Sequence, residues 1–117
     1  MLNVALLGFG RIGQMHANNI NKHKDLKLLY VYEKIIKLSY KAKKLYNCKI
    51  ETNYNKIFKD KIVDIIFISS PTNTHIKFIE EGIKYKKIVF CEKPLDLNID
   101  KIIKNTNSTR PKDTPAH

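Results

Sequence analysis

A glycine-rich turn near the start of the chain restricts its fold more than any other feature. Residues 4–7 form a short, continuous apolar run, which is typical of a strand buried on both faces of a parallel sheet. Gly8, Gly10 and Gly13 follow in the pattern G-x-G-x-x-G. The first glycine permits a tight turn, the second lets backbone N–H groups approach a pyrophosphate, and the third lets the next helix sit close to the strand. The start of that helix favours bound phosphate.

An acidic residue lies at the position where a dinucleotide-binding fold contacts the ribose of its ligand. A second apolar run, Leu26–Tyr32, ends before Glu33, which lies 20 residues after Gly13. A carboxylate there can accept hydrogen bonds from the adenosine ribose hydroxyls. By itself, Glu33 could equally be a solvated charge at a strand end. Together with the glycines, it favours dinucleotide binding.

Alternating helical and strand patterns continue through the chain. The predicted helices carry apolar stripes. In the first helix the residues facing the sheet are Ile12, His16 and Ile20. The second, over residues 34–46, has Ile35, Leu38, Ala42 and Leu45, and a later one has Ile76, Ile79 and Ile83. Further strands are predicted at Lys49–Glu51, residues 63–69 and Ile88–Cys91, with a helical turn over 55–59 and a last helix around Ile99 to Ile103. This order predicts an α/β protein with a doubly wound parallel sheet of five strands and flanking helices.

Four polar motifs follow strands of this predicted sheet. They are the glycine turn, Glu33, residues 69–72, and residues 92–94. The helix that follows residues 69–71 is predicted to be capped by Thr72, Asn73 and Thr74. Right-handed crossovers bring the carboxyl ends of these strands to one edge. Open α/β sheets bind ligands at that edge.

The net charge of +11 does not indicate a nucleic-acid-binding protein. Lysine supplies 20 of the 22 basic residues and is spread along the chain, whereas arginine, which reads guanine with two hydrogen bonds, occurs only at Arg11 and Arg110. No apolar run is long enough to span a bilayer, no signal peptide is recognisable, and no Cys/His spacing suggests a metal site. We therefore expect a cytoplasmic protein without a metal, a membrane segment or a specific nucleic-acid partner. His16 is expected to be a packing contact rather than a ligand.

The motifs Gly8-Phe-Gly-Arg-Ile-Gly-Gln-Met-His16, Ser70-Pro-Thr-Asn-Thr-His75 and Cys91-Glu-Lys-Pro-Leu95 resemble those of the Gfo/Idh/MocA oxidoreductases, particularly the inositol dehydrogenase group. The similarity covers residues 2 to about 107. It implies a Rossmann domain that is followed, in members of the family, by an α/β substrate domain. It also implies hydride transfer between NAD or NADP and a hydroxyl carbon of a sugar or cyclitol.

The resemblance also implies roles for individual residues. The pyrophosphate would be lined by Gly8, Gly10, Arg11, Ile12 and Gly13, and the adenosine ribose would be held by Glu33. The segment of Ser69, Ser70, Pro71 and Thr72 would pass close to the adenosine and pyrophosphate, and Asn73 and His75 would lie near the far end of the cofactor. Glu92 and Lys93 would flank the nicotinamide ribose, with Pro94 fixing the geometry of Lys93. The family usually has Asp in place of Glu33. Either carboxylate repels a 2′-phosphate, so we expect NAD rather than NADP, although Lys34 is adjacent.

Lys93 is the expected catalytic residue. An ammonium beside the substrate oxygen stabilises a developing alkoxide and polarises the carbonyl in the reverse direction. The chain is expected to comprise a dinucleotide-binding domain over residues 1–107 and a disordered tail over 108–117, without the substrate domain. A polyol or sugar would then be a partner, and a homo-oligomer would form, only in a completed enzyme. The alternative is a non-catalytic dinucleotide-binding module or an inactive truncated remnant.

Overall fold

A computed structural model describes residues 1–91 of the 117-residue chain. Strands and helices alternate throughout this part: β1 (Leu2–Leu7), α1 (Arg11–Lys22), β2 (Leu26–Tyr32), α2 (Ile36–Tyr46), β3 (Lys49–Glu51), α3 (Tyr54–Lys59), β4 (Ile65–Ile68), a 3-10 turn (Thr72–Thr74), α4 (His75–Lys84) and β5 (Ile88–Cys91). The predicted last helix and the predicted tail lie outside the described residues.

The five strands form one parallel sheet in the order β3-β2-β1-β4-β5. Every described strand pair is parallel, as the alternation of strands and helices predicted. The pairing of β1 with β2 shifts between Val4 and Ala5, so that β2 contributes one extra residue at that point. Beyond the shift, Leu7 pairs with both Tyr32 and Ile68, and Ile68 pairs with Cys91. The carboxyl ends of these four strands therefore lie at one edge of the sheet.

The sheet separates two apolar layers. One layer joins alternate residues of the strands to Ala17 and Ile20 of α1 and to Ala42 of α2. The other joins the intervening strand residues to α3 and to Phe78 of α4. Because both faces of the strands are covered, residues 65–68 of β4 are all buried, which explains the continuous apolar run in the sequence. The fold is a doubly wound Rossmann-like α/β fold.

His16 belongs to the first layer. Its side chain is 2% exposed, and the centre of its ring lies 4.8 Å from that of Phe67. It is a packing contact between α1 and the sheet, as predicted. The prediction that Ile12 also faces the sheet is wrong, since Ile12 is 44% exposed on the first turn of α1.

The stripe predicted for α2 is confirmed at Leu38 and Ala42, which pack against the first layer, but is wrong at its two ends. Ile35 and Leu45 are 58% and 57% exposed, whereas Ser39 and Ala42 are buried. Small side chains at these two positions bring the helix close to the sheet, which leaves the larger residues of the stripe at its margins.

The stripe predicted for α4 is right for Ile79, which packs against the second layer, and wrong for its other two members. Ile76 and Ile83 are 72% and 68% exposed, and the helix instead buries Phe78 and Gly82. Phe78 packs among three aromatic rings of the second layer. Gly82 comes so close to Val89 that an added Cβ would overlap the Val89 side chain. Contact with the sheet, rather than the hydrophobicity of isoleucine, decides which face is buried.

Polar contacts tie together the opposite, amino-terminal side of the sheet. The Tyr30 hydroxyl donates a 2.7 Å hydrogen bond to Asp60 Oδ2, and Lys87 Nζ donates to the carbonyl oxygens of Asp60 and Val63 at 2.7 and 2.8 Å. Burial, together with the bond to Asp60, raises the pKa of Tyr30 to about 12. The Tyr30 hydroxyl holds the pKa of Asp60 below its ordinary value. Within residues 1–91, no helix is long and apolar enough to cross a membrane.

Candidate functional site: the carboxyl edge of the sheet

Gly8 brings the ends of β1 and β4 into contact. Its φ of +107° lies in a region that side-chain-bearing residues rarely adopt. A Cβ atom at this position would lie 2.7 Å from the backbone of Ser69 and Ser70. The Gly8 N–H donates a 2.8 Å hydrogen bond to the Tyr32 carbonyl, which continues the ladder to β2. Glycine is therefore required here by the fold itself.

Gly13 lets α1 rest directly on the turn. The residue is buried, and an added Cβ would overlap the Gly8 carbonyl oxygen. The same Cβ would lie 3.4 Å from Ser69 Oγ, a buried hydroxyl without a hydrogen-bond partner among residues 1–91. The turn, the start of α1 and the end of β4 thus meet around an unused polar atom.

Gly10 differs from the other two glycines. Its φ of −77° is open to any residue, and within the described part of the chain nothing lies within 4 Å of the position a Cβ would take. It is the N-cap of α1, where no side chain satisfies the first N–H groups, and the first turn carries no acidic residue. Arg11 and Ile12 are exposed beside it. An exposed helix start with unsatisfied donors attracts an anion.

Glu33 lies against the glycine turn. Its Oε1 accepts a 2.7 Å hydrogen bond from the Phe9 N–H, and its Oε2 accepts a 3.0 Å bond from the Ile35 N–H. The Ser39 hydroxyl donates a 2.8 Å bond to the Glu33 carbonyl oxygen. The carboxylate is thus oriented at the edge of the sheet while each of its oxygens keeps a further lone pair.

The segment after β4 is braced by its own side chains. Thr74 Oγ1 lies 2.6 Å from Ser70 Oγ and donates a 2.6 Å hydrogen bond to the Pro71 carbonyl. His75 Nε2 lies 3.0 Å from the Ser70 carbonyl oxygen, which only accepts, so Nε2 carries the proton. Of the predicted capping residues, Thr74 is the N-cap of α4, but no side chain makes a capping hydrogen bond, and residues 72–74 form a 3-10 turn. The exposed members of the segment are Pro71, Thr72 and Asn73.

The structure therefore brings most of the predicted site residues to one edge. Gly8, Gly13 and Ser69 are in contact, Glu33 bonds to the turn between Gly8 and Gly10, and Ser70 lies beside Gly8. Glu92, Lys93 and Pro94 lie outside the described residues, although β5 ends at Cys91 on this same edge. Within the described part, no three His, Cys, Asp or Glu side chains are placed to hold a metal ion.

Three residues at this edge were not singled out from the sequence. The Phe9 ring is fully buried and meets Tyr46 edge-on, with 6.4 Å between the ring centres. Ser39 is 3% exposed, and the half-buried Gln14 donates from Nε2 to the Phe9 carbonyl at 3.2 Å. A serine on the buried face of an amphipathic helix was an available signal for Ser39. Gln14 occupies an ordinary helical position and carries no such signal.

This edge fits a dinucleotide. The uncapped start of α1 supplies N–H donors for a pyrophosphate, and Gly10 leaves space for it. Glu33 supplies acceptors for a ribose diol next to that space. Ser69 Oγ is a buried polar atom that still has hydrogen-bonding capacity.

Comparisons with known proteins agree with this geometry. The family model of the Gfo/Idh/MocA oxidoreductases, described as an oxidoreductase family with an NAD-binding Rossmann fold, matches residues 2–114. The chain is 34% identical over 110 residues to myo-inositol 2-dehydrogenase of Thermotoga maritima, covering 90% of this chain and 33% of that protein.

Solved structures show the same likeness. A myo-inositol dehydrogenase from Corynebacterium glutamicum superposes with a TM-score of 0.75 at 30% identity, over 92% of this chain and 32% of that one. Scyllo-inositol dehydrogenase from Lactobacillus casei, solved with NAD(H) and scyllo-inositol, gives a TM-score of 0.75 at 29% identity, over 92% and 32%. This chain spans about a third of the length of these relatives.

The glycine turn, the acidic residue after β2 and the family match over nearly the whole chain lead to one conclusion. The chain belongs to the Gfo/Idh/MocA oxidoreductase family and carries its NAD-binding Rossmann fold.

Proposed function

We propose that this chain binds NAD at the carboxyl edge of its sheet. We further propose that it serves hydride transfer between the nicotinamide and a hydroxyl carbon of a cyclitol or sugar. The family match supports the oxidoreductase class, and relatives that act on inositols support the substrate class. When bound, NAD supplies the hydride acceptor. The residues of this chain bind the NAD, orient it and stabilise the negative charge that develops on the substrate oxygen.

The observation that carries the binding proposal is the environment of Gly10. Gly8 and Gly13 are explained by backbone contacts within the chain, whereas Gly10 has an ordinary φ and open space around it. Packing within residues 1–91 therefore does not require glycine at this position, and its N-cap position favours glycine over alanine only modestly. Close approach of a ligand to the backbone gives a stronger reason for glycine.

The experiment is to titrate the purified chain with NADH, following nucleotide fluorescence, and to repeat it with Gly10→Ala. We expect the free energy of unfolding of the variant to lie within about 1 kcal/mol of that of the original chain, because a Cβ fits at this position. We expect its NADH affinity to fall by about tenfold or more, because the methyl group occupies the space of the pyrophosphate. Unchanged NADH affinity in Gly10→Ala would contradict the proposal, and so would the absence of NADH binding by the original chain.

A preference for NAD over NADP follows from Glu33. Its carboxylate, held by the N–H groups of Phe9 and Ile35, would lie beside the 2′ position of the adenosine ribose. A 2′-phosphate there would meet a like charge at short range. We expect the dissociation constant of NADPH to exceed that of NADH by about tenfold or more. Glu33→Gln should bring the two dissociation constants closer together. A chain that binds NADPH tightly and NADH not at all would overturn the preference.

We propose Lys93 as the catalytic group, flanked by Glu92 and oriented by Pro94. Its ammonium would stabilise the alkoxide that forms as the hydride leaves the hydroxyl carbon. The test is oxidation of myo-inositol with NAD, measured at 340 nm, by the chain and by its Lys93→Met variant. Turnover that survives in Lys93→Met would contradict this role.

A second candidate function is a dinucleotide-binding module without catalysis. The observation that favours it is that the described contacts at the sheet edge provide for a pyrophosphate and a ribose, which binding alone uses. NADH binding that is sensitive to Gly10→Ala, without turnover of inositols or sugars, is the result expected for this candidate. Turnover by the chain alone would exclude it.

A further inference from the structure

The Gln14 side chain connects the glycine turn to helix α2. Its Nε2 donates a 3.2 Å hydrogen bond to the Phe9 carbonyl oxygen, and its Oε1 accepts a 2.8 Å bond from Lys41 Nζ. An ammonium group only donates and a carbonyl only accepts, so the amide of Gln14 satisfies both partners in one orientation only. Lys41 therefore reinforces the orientation of the amide that the Phe9 carbonyl also selects.

Phe9 is also held from its other side. Its N–H donates to Glu33 Oε1 at 2.7 Å, and its ring is fully buried against Tyr46. With the N–H, the ring and the carbonyl all engaged, the peptide unit between Phe9 and Gly10 has a defined orientation. In a trans peptide the C=O and the N–H point to opposite sides, so the Gly10 N–H is turned away from Gln14.

We propose that Gln14, whose orientation Lys41 reinforces, is a positioning residue for the pyrophosphate of the bound dinucleotide. It holds the Phe9–Gly10 peptide so that the Gly10 amide keeps its phosphate-binding direction. This inference rests on the dinucleotide-binding function proposed above. Gln14 makes no contact with the ligand in this scheme and acts through the backbone of the glycine turn.

The test compares Gln14→Ala, Gln14→Glu and Lys41→Met with the matched control Asn18→Ala, one turn further along α1 and exposed. Gln14→Glu retains an acceptor for Lys41 but has no N–H for the Phe9 carbonyl. Because it also adds a negative charge near the pyrophosphate, the uncharged Gln14→Ala shows how much of its effect comes from the lost hydrogen bond. Three quantities are measured for each: the dissociation constant of NADH, that of adenosine, and the amide resonance of Gly10 in a ¹⁵N-labelled chain. The chain has four glycines, so this resonance is readily assigned.

We expect Gln14→Ala and Gln14→Glu to weaken NADH binding about three- to tenfold, the range of one hydrogen bond. Lys41→Met should weaken it less. Adenosine binding should stay within twofold, because Glu33 is untouched, and the Gly10 resonance should move in the Gln14 variants but not in Asn18→Ala. A purely structural role would weaken both ligands alike and would refute the inference.

The two proposals fail differently. If the original chain binds NADH and Gln14→Glu binds it equally well, the positioning role falls and dinucleotide binding stands. If the original chain does not bind NADH, both fall.

Discussion

Replacing Glu33 by Gln should loosen the glycine turn even when no nucleotide is present. The Glu33 carboxylate joins the turn to the end of β2 through Phe9 N–H at 2.7 Å and Ile35 N–H at 3.0 Å, using a different oxygen for each. Gln has a single acceptor oxygen, so one N–H loses its partner and meets an NH₂ group instead. Hydrogen bonds to a charged group contribute about 1.5–3 kcal/mol each. We therefore expect the free energy of unfolding to fall by about 2 kcal/mol.

Glu51→Gln is the matched control. Glu51 is the last residue of β3, an edge strand of the sheet, and also accepts two backbone N–H bonds, from Thr52 at 3.0 Å and Asn53 at 3.1 Å. Both reach the same oxygen, Oε2, which a Gln can replace with its own. Its substitution should cost well under 1 kcal/mol, because charge is lost but neither bond is.

The assay is urea unfolding followed by far-ultraviolet circular dichroism, without nucleotide, with free energies extrapolated to water. For a domain of this size, a loss of about 2 kcal/mol also lowers the melting temperature by roughly 10 °C. If Glu33→Gln and Glu51→Gln were equally stable, the carboxylate of Glu33 would not hold the turn, and its only role would be toward a ligand.

Three further outcomes follow from the described contacts. Gly13→Ala should destabilise the chain by about 1–3 kcal/mol in the same unfolding assay, because its Cβ would overlap the Gly8 carbonyl; a variant as stable as the original would refute this close approach. The pKa of Tyr30, raised to about 12 by burial and by Asp60, means that folding favours the neutral phenol; its contribution is complete below about pH 10 and is lost as the pH rises toward 12. Unfolding free energies measured from pH 8 to 12 should therefore fall less steeply in Tyr30→Phe than in the original chain, and equal slopes would contradict this. Lys87→Met should lower the free energy of unfolding in urea by about 1–2 kcal/mol, because two backbone carbonyls lose a charged donor. An unchanged free energy would show that water replaces the ammonium group.

Local pattern was enough to predict the order and type of the described elements. An apolar run without alternation indicates a strand covered on both faces, and Leu26–Tyr32, Lys49–Glu51 and Ile88–Cys91 have the predicted bounds. Glycine spacing predicted the turn, because Gly8 and Gly13 are required by backbone geometry that no other residue tolerates. Parallel pairing follows from alternating strands and helices, and so does the single edge that collects the site.

Other features depend on contacts that a one-dimensional pattern does not contain. Hydrophobicity predicted the burial of Ala42 but not that of Ser39 and Gly82. Burial follows how closely each helix approaches the sheet, which leaves Ile35, Ile76 and Ile83 exposed.

The sequence by itself determined that a phosphate-binding turn and an acidic residue follow two neighbouring strands, since the side chains and their spacing are local properties. Only the tertiary structure decided that they touch. The extra residue of β2 aligns Tyr32 with Leu7, which places the Glu33 carboxylate on the Phe9 N–H and leaves Gln14 to hold the other side of the same residue. Register and side-chain reach are set by the packing of distant segments, because no short stretch of chain contains both partners of such a bond.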